Sequence, residues 1–210
     1  MYAAAMKPST LARTTRRQPK QRRALETVEA VLDAVMRILK REGAAAVTTN
    51  RIAEVAGVSI GSLYQYFPDK HAIFHALHSR HIEQIDQLIE RTLVAHASSA
   101  LEELVKALME AMIEIHEDAP ELYQALMAEV PHSSGDKQAF AVRLHGVFLL
   151  AIAARVHQLK KHHDPLKTAF VVAHMVDALS HAVVLRRPQG LSRSDLKKEA
   201  VRAVLAYLHS

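Results

Sequence analysis

Two short segments with helical apolar spacing, separated by one glycine, limit what this chain can fold into. Residues 49–56 read TNRIAEVA and residues 59–67 read SIGSLYQYF, with Gly57 between them. Each supports about two helical turns, and helices that short do not hold in water without a tertiary partner. A threonine of the Thr48-Thr49 pair can cap the first, Gly57 can end it in a left-handed conformation, Ser59 can cap the second and Pro68 closes it. The partner lies upstream, from Arg22 to Glu42, where Leu25, Val28, Val31, Leu32, Val35, Ile38 and Leu39 recur at helical spacing. Ile52, Ala53, Ala56, Val58, Leu63 and Phe67 supply the remaining core, and Ala53 is small enough to let the two short helices approach. The pattern predicts a helix-turn-helix within a three-helix unit over residues 24–70.

The second short helix holds Tyr64, Tyr66 and Phe67, three of the chain's 5 Tyr and 5 Phe. Leu63 and Phe67, four apart, point inward. That leaves Ile60, Gly61, Ser62, Tyr64, Gln65 and Tyr66 near the outer surface, with Ser59 at the helix start. Small residues at a helix N-terminus admit close approach of a surface, and the N–H groups there favour phosphate. A tyrosine hydroxyl reaches phosphate oxygens, and a glutamine reads a base edge. This mixture suits a helix lying in the DNA major groove.

Composition points to an all-α chain. Half of its 210 residues are hydrophobic, Gly and Pro together number only 13, and alanine, leucine and charged residues dominate. There is no cysteine, which excludes disulfides and thiolate metal sites. The N-terminus lacks an apolar stretch of signal-peptide length, and the longest apolar stretches, Gly146 to Arg155 and Phe170 to Leu185, are interrupted by Arg, His or Asp. A cytoplasmic protein with no membrane partner is expected. The net charge of +5 is unevenly placed: residues 1–23 carry Lys7, Arg13, Arg16, Arg17, Lys20, Arg22 and Arg23 and no acid. Without those seven, 20 lysines and arginines face 22 acids. The basic character belongs to a flexible N-terminal arm, suited to phosphate or minor-groove contact.

The run TTNRIAEVAGVSIGSLYQYFPDK, followed by an apolar helix, resembles the DNA-binding domain of TetR-family transcriptional regulators. The resemblance covers roughly Ala24 to Leu77, where Thr-Thr, Ile-Ala, Ala-Gly-Val-Ser, Gly-Ser-Leu-Tyr, Phe and Lys fall at the family's spacing. It implies that Thr49 binds phosphate, Asn50 approaches bases, and Ile60, Gly61, Ser62 and Gln65 face the major groove. Tyr64 and Tyr66 would lie against backbone and sugar and Lys70 on a phosphate, with Arg16, Arg17, Arg22 and Arg23 adding arm contacts.

Beyond Lys70 the sequence continues as helices: Lys70 to about Ala95, Ala100 to Glu117, Pro120 to Glu129, Lys137 to about Lys161, Pro165 to Arg186 and Ser194 to Leu208, the last capped by Ser192 or Ser194. Residues 71–210 are thus expected to form a larger helical ligand-binding and dimerisation domain. Its last two helices carry apolar faces (Val171, Val172, Met175, Val176, Leu179, Val183; Leu196, Ala200, Ala203, Val204, Tyr207), and the resemblance implies a four-helix homodimer interface there. Two recognition helices roughly 34–36 Å apart would read a palindromic operator in double-stranded DNA. Met109, Met112, His116, Tyr123, Met127, Leu144, Phe148, His174 and Met175 are soft or amphipathic candidates for holding a small apolar or aromatic ligand.

Of the 14 histidines, His71, His75, His78 and His81 share one side of the helix after Lys70. Imidazoles four apart can bind Zn²⁺ or Ni²⁺, but no cysteine or well-spaced carboxylate completes a site, so packing is the expected role. No cofactor motif, Gly-rich phosphate loop, GxSxG elbow or His-Glu-x-x-His occurs. The sequence therefore favours a ligand-released repressor over an enzyme or metal-binding protein. A non-specific nucleic-acid-binding protein, held by its basic arm, is the alternative.

Overall fold

The computed structural model describes residues 22–130, 135–160, 163–186 and 189–210. Arg16 and Arg17, and most of the basic arm, lie outside them. Among the described residues the regular structure is helical: α1 Arg22–Glu42, α2 Thr49–Ala56, α3 Ile60–Tyr66, α4 Lys70–Ala95, α5 Leu101–Glu117, α6 Pro120–Glu129, α7 Gly135–Ala153, α8 Pro165–Leu185 and α9 Arg193–His209, with 3₁₀ turns at Ala44–Ala46 and Val156–Gln158. The chain forms two compact units. The first holds residues 22–82 and 121–130 of those described, the second the remainder.

In the first unit, α1 buries Val28, Val31, Leu32, Ala34, Val35, Ile38 and Leu39 along one stripe, while Leu25 is exposed near its start. Gly43, at φ 82°, leads into the Ala44–Ala46 turn. Thr48 caps α2 by accepting from Arg51 N–H at 3.2 Å, and Gly57, at φ 70°, ends it. Ser59 caps α3 by accepting from Ser62 N–H at 3.0 Å. Ile52, Ala53, Leu63 and Phe67 are buried, together with Ile73, Phe74, Ala76 and Leu77 of α4. Charged side chains tie these helices together. Arg80 of α4 reaches Glu29 and Asp33 of α1 at 3.0 and 2.7 Å, and Arg37 of α1 donates to the Val55 carbonyl of α2 at 3.2 Å.

In the second unit α8 is central, packing on α5, α7 and α9. Its Thr168, Ala169, Val172, Ala173 and Val176 are buried, as are Leu104, Leu108 and Met112 of α5, Leu144, Phe148 and Ile152 of α7, and Ala200, Val204 and Leu208 of α9. The α8 helix runs for 21 residues close to the expected bounds, and although its apolar run holds His and Asp, by length and composition alone it could cross a bilayer. In the protein its polar Thr168 and Ser180 are buried alongside the apolar residues.

The helix expected from Lys137 to Lys161 ends instead at Ala153. The reason is Arg155. Its buried guanidinium donates from Nε to the Ser99 carbonyl at 2.9 Å, and from Nη2 to the carbonyls of His96 and Ala97 at 3.0 and 2.8 Å. Nη1 reaches the Ala151 carbonyl at 3.3 Å. One side chain thus satisfies the carbonyls that close α4 and α7, and the chain must turn to place it. Gln158 then accepts from Leu101 N–H at 2.7 Å, supplying α5 with the N-terminal acceptor that Ala100 cannot provide. Arg155→Met, which keeps the bulk and leaves these carbonyls without donors, should lower unfolding free energy by about 2–4 kcal/mol in urea titrations. Arg155→Lys should restore only part of it, because one compact ammonium cannot span the four carbonyls that the guanidinium fork reaches.

Candidate nucleic-acid interface

With Leu63 and Phe67 fixed inward, helical geometry aims the other residues of α3 outward. Ile60 and Tyr64 are 39% and 43% exposed, and Ser59, Gly61 and Gln65 are exposed with them. Ser62 and Tyr66 are half-buried. The Ser62 hydroxyl lies 2.8 Å from that of Ser59, so these two serines shape the helix start. Because Thr48 takes the capping role, Thr49 is left to face α3, and its hydroxyl is 3.2 Å from the Tyr64 hydroxyl. Thr49, Tyr64, Ile60 and Gln65 thus belong to one motif whose polar edge is joined by that hydrogen bond. Asn50 is exposed one position further on.

Gly61 has a helical φ, and a Cβ built on it would meet nothing nearer than the Ser59 hydroxyl at 3.9 Å. The fold itself therefore places no demand for glycine there.

The cations are disposed differently from one another. Arg22 pairs with Glu26 at 2.9 Å on α1, and Arg23 is exposed. Lys70, assigned to phosphate by resemblance, instead lies with Nζ 2.6 Å from Glu129 Oε1 of α6. Arg51 bridges Glu42 at 2.8 Å and Glu54 at 2.8 Å, and this hydrogen bonding holds the Glu42 carboxyl below its ordinary value and raises the Arg51 pKa. Sequence reasoning missed Arg51 and Arg37 as braces of α2. The Arg51–Glu54 pair, three apart, was the available signal.

The nine ligand-contact candidates divide between the units. Tyr123 and Met127 belong to the first, the other seven to the second. Met109, Met112, His116, Leu144 and Phe148 are buried in the second unit's core, Met175 is half-buried, and His174 is exposed, stacked at 4.1 Å on Phe170. His116 and His181 meet edge to face at 4.8 Å, with Asp177 3.7 Å from His181. Burial pushes both imidazoles down to about 4; the charge of each one's neighbour (His181 for His116, Lys137 for His181) adds to this. Burial likewise raises the Asp177 carboxyl. Along α4, His78 and His81 are buried, His75 is half-buried and His71 exposed. Among the described residues, no group of three or more His, Asp or Glu is arranged to hold a metal ion.

Among the described residues, a capped helix-turn-helix in the first unit and a helical bundle in the second define the class of helical helix-turn-helix proteins. Residues 31–77 match the family of bacterial regulatory proteins called tetR, and residues 100–208 match the tetracyclin repressor-like C-terminal domain. The chain belongs to the TetR family. Nucleoid occlusion factor SlmA of Haemophilus ducreyi is 36% identical over 96 residues, 45% of this chain and 46% of that protein. The HTH-type transcriptional repressor KstR of Mycobacterium tuberculosis is 38% identical over 96 residues, 45% of this chain and 42% of that one. The chain therefore spans about half the length of the curated relatives it matches. Among solved structures, a TetR-family transcriptional regulator from Streptomyces coelicolor aligns with a TM-score of 0.62 at 20% identity, covering 87% of this chain and 98% of that one. NalD of Pseudomonas aeruginosa, the secondary repressor of the MexAB-OprM multidrug efflux pump, aligns at 0.63 with 19% identity, covering 90% and 98%. At these identities the likeness establishes the shared fold.

The buried histidine pair makes stability depend on pH. Both titrate near 4 in the folded chain against an ordinary value of 6.5, so between those values the unfolded chain binds more protons and stability rises with pH. Stability is fully present above about 6.5 and is lost towards 4, by at most ~1.4 kcal/mol per pH unit for each histidine. Asp177, whose carboxyl is raised by burial, contributes in the opposite sense. The melting temperature should fall from pH 6.5 to 4.5, and His181→Gln should flatten the slope.

Proposed function

We propose that this chain is a sequence-specific DNA-binding regulator of transcription that acts as a repressor on a palindromic operator. The observation that carries the reading is the outward face of α3, where exposed Ile60, Tyr64 and Gln65 surround Gly61, a glycine that the fold does not need. A surface outside the chain is the remaining reason for a missing side chain, and a DNA groove supplies one. The similarity to the HTH-type transcriptional repressor KstR over 96 residues supports that direction.

A seven-residue α3 reaches few base edges, so specificity calls for a second copy on a second half-site. The reading by resemblance gave that role to α8 and α9. Of the residues in that reading, Val172, Val176, Val183, Ala200 and Val204 lie in the protomer's own core. Val171, Met175, Leu179, Leu196 and Tyr207 are half-buried and Ala203 is exposed, with Lys198, Glu199 and Arg202 also outward on α9. The exposed apolar side chains lie on α8 and α7: Leu166 and Phe170 (53% exposed) with His174 and Ala178, and Val142 and Leu150 (72% and 74%). His145 of α7 lies edge to face with Phe170 at 6.0 Å, joining the two stripes. This nearly uncharged face suits a second copy, since an isologous interface must match itself.

A small apolar or aromatic ligand held among Met109, Met112, Leu144, Phe148 and Met175 would shift the population of α4 positions and release the DNA. The α4 helix suits that role because it is continuous from the first unit into the second.

Selection of genomic fragments on the purified protein should return a shared palindrome, whereas salt-sensitive retention of all fragments would favour non-specific binding. Gly61→Ala should weaken operator binding at least tenfold while leaving the fold unchanged or more stable by about 0.5–1 kcal/mol. Phe170→Glu should convert the dimer to a monomer in sedimentation equilibrium without loss of helix content.

A further inference from the structure

The Lys70–Glu129 ion pair is placed against the electrostatics of both helices that carry it. Lys70 is the first residue of α4, where the helix dipole disfavours a cation, and Glu129 is the last residue of α6, where it disfavours an anion. Asp69 at the start of α4 is engaged in capping, its Oδ1 accepting from Ala72 N–H at 2.8 Å, and no base lies in the last turn of α6. Each is stabilised by the other, with Nζ 2.6 Å from Oε1, while His71 Nδ1 lies 3.6 Å from the second carboxylate oxygen. The Lys70 ammonium also sits 5.7 Å from the Phe74 ring centroid. Both partners belong to the first compact unit, and Lys70 follows the end of α3 by four residues.

We infer that Glu129 is an internal stand-in for a DNA phosphate: it holds Lys70 in the DNA-free chain and competes with the operator backbone for it. The inference rests on the DNA-binding reading above. A carboxylate and a phosphate offer the same anionic oxygen acceptors to one ammonium, so the pair must open before Lys70 neutralises a phosphate. Glu129 thereby sets operator affinity without touching DNA. Whatever displaces Glu129 on α6 also changes how available Lys70 is.

The test measures association with the selected operator and with a random duplex over a range of salt, for wild type, Glu129→Gln, Lys70→Gln and the double variant. Glu129→Gln should bind operator about 2–5-fold more tightly at low salt, the yield of one partly exposed ion pair no longer broken. Its log K against log salt should steepen by up to ~0.9, one further phosphate neutralised. Lys70→Gln should weaken binding, and adding Glu129→Gln to it should restore little. Glu129→Ala, checked by circular dichroism for intact helix content, provides a second route to the same comparison. Unchanged affinity and slope in both Glu129 variants, with Lys70→Gln weakening binding, would overturn the competition while leaving the regulator intact. Equal tightening by Glu129→Gln in the Lys70→Gln background would overturn it equally, because the effect would then not run through Lys70. If wild type shows no preference for operator over random duplex, the regulator reading itself fails, and the inference falls with it.

Discussion

Burial of Leu63 and Phe67 in the core of the first unit is the constraint on which the functional surface depends. Both side chains are fully buried, and each contributes about 1.5–3 kcal/mol relative to exposure. A seven-residue helix has no stability of its own to spare. Once these two positions point inward, the 100° step of the α-helix leaves Ile60, Gly61, Tyr64 and Gln65 no direction but outward. The recognition surface is thus a by-product of core packing, and the polar caps at Thr48 and Ser59 only set where each helix starts.

Charge then locks what apolar packing has placed. Arg80, Arg37 and Arg51 join α1 to α4 and α2 through carboxylates or a carbonyl, and none of them is on the outward face of α3. Arginine suits these positions because its fork reaches two acceptors at once. Lys70 behaves differently. Its partner is a single carboxylate on α6, and both charges sit at the ends of their helices where the dipole opposes them. A contact so placed gains little for the helices themselves, which is why a role in affinity is the better account of it.

In the second unit the polar groups that matter are buried and neutral or fully bonded. Arg155 closes two helix ends at once, and His116 with His181 stays uncharged because burial disfavours the cation. The unit's apolar core is therefore interrupted at chosen points, and those points set its chain path and its response to acid.

Much of this was legible in the sequence. The helical spacing of Val28, Val31, Leu32, Val35, Ile38 and Leu39, the caps at Thr48 and Ser59, the stop at Gly57 and the split of α3 into inner and outer residues follow from local periodicity and local hydrogen bonding. These are decided within one or two turns, so the sequence carries them directly. What it could not carry are choices between distant partners. Nothing near Arg155 in sequence indicates that its guanidinium binds carbonyls 56 to 59 residues away and so ends α7 at Ala153. Nothing near Lys70 indicates Glu129, and apolar periodicity alone does not say which stripe of α8 faces its own core and which carries Phe170 outward. A helix with apolar residues on most sides satisfies the same pattern either way. Only the packing of the other helices against it decides which side is covered.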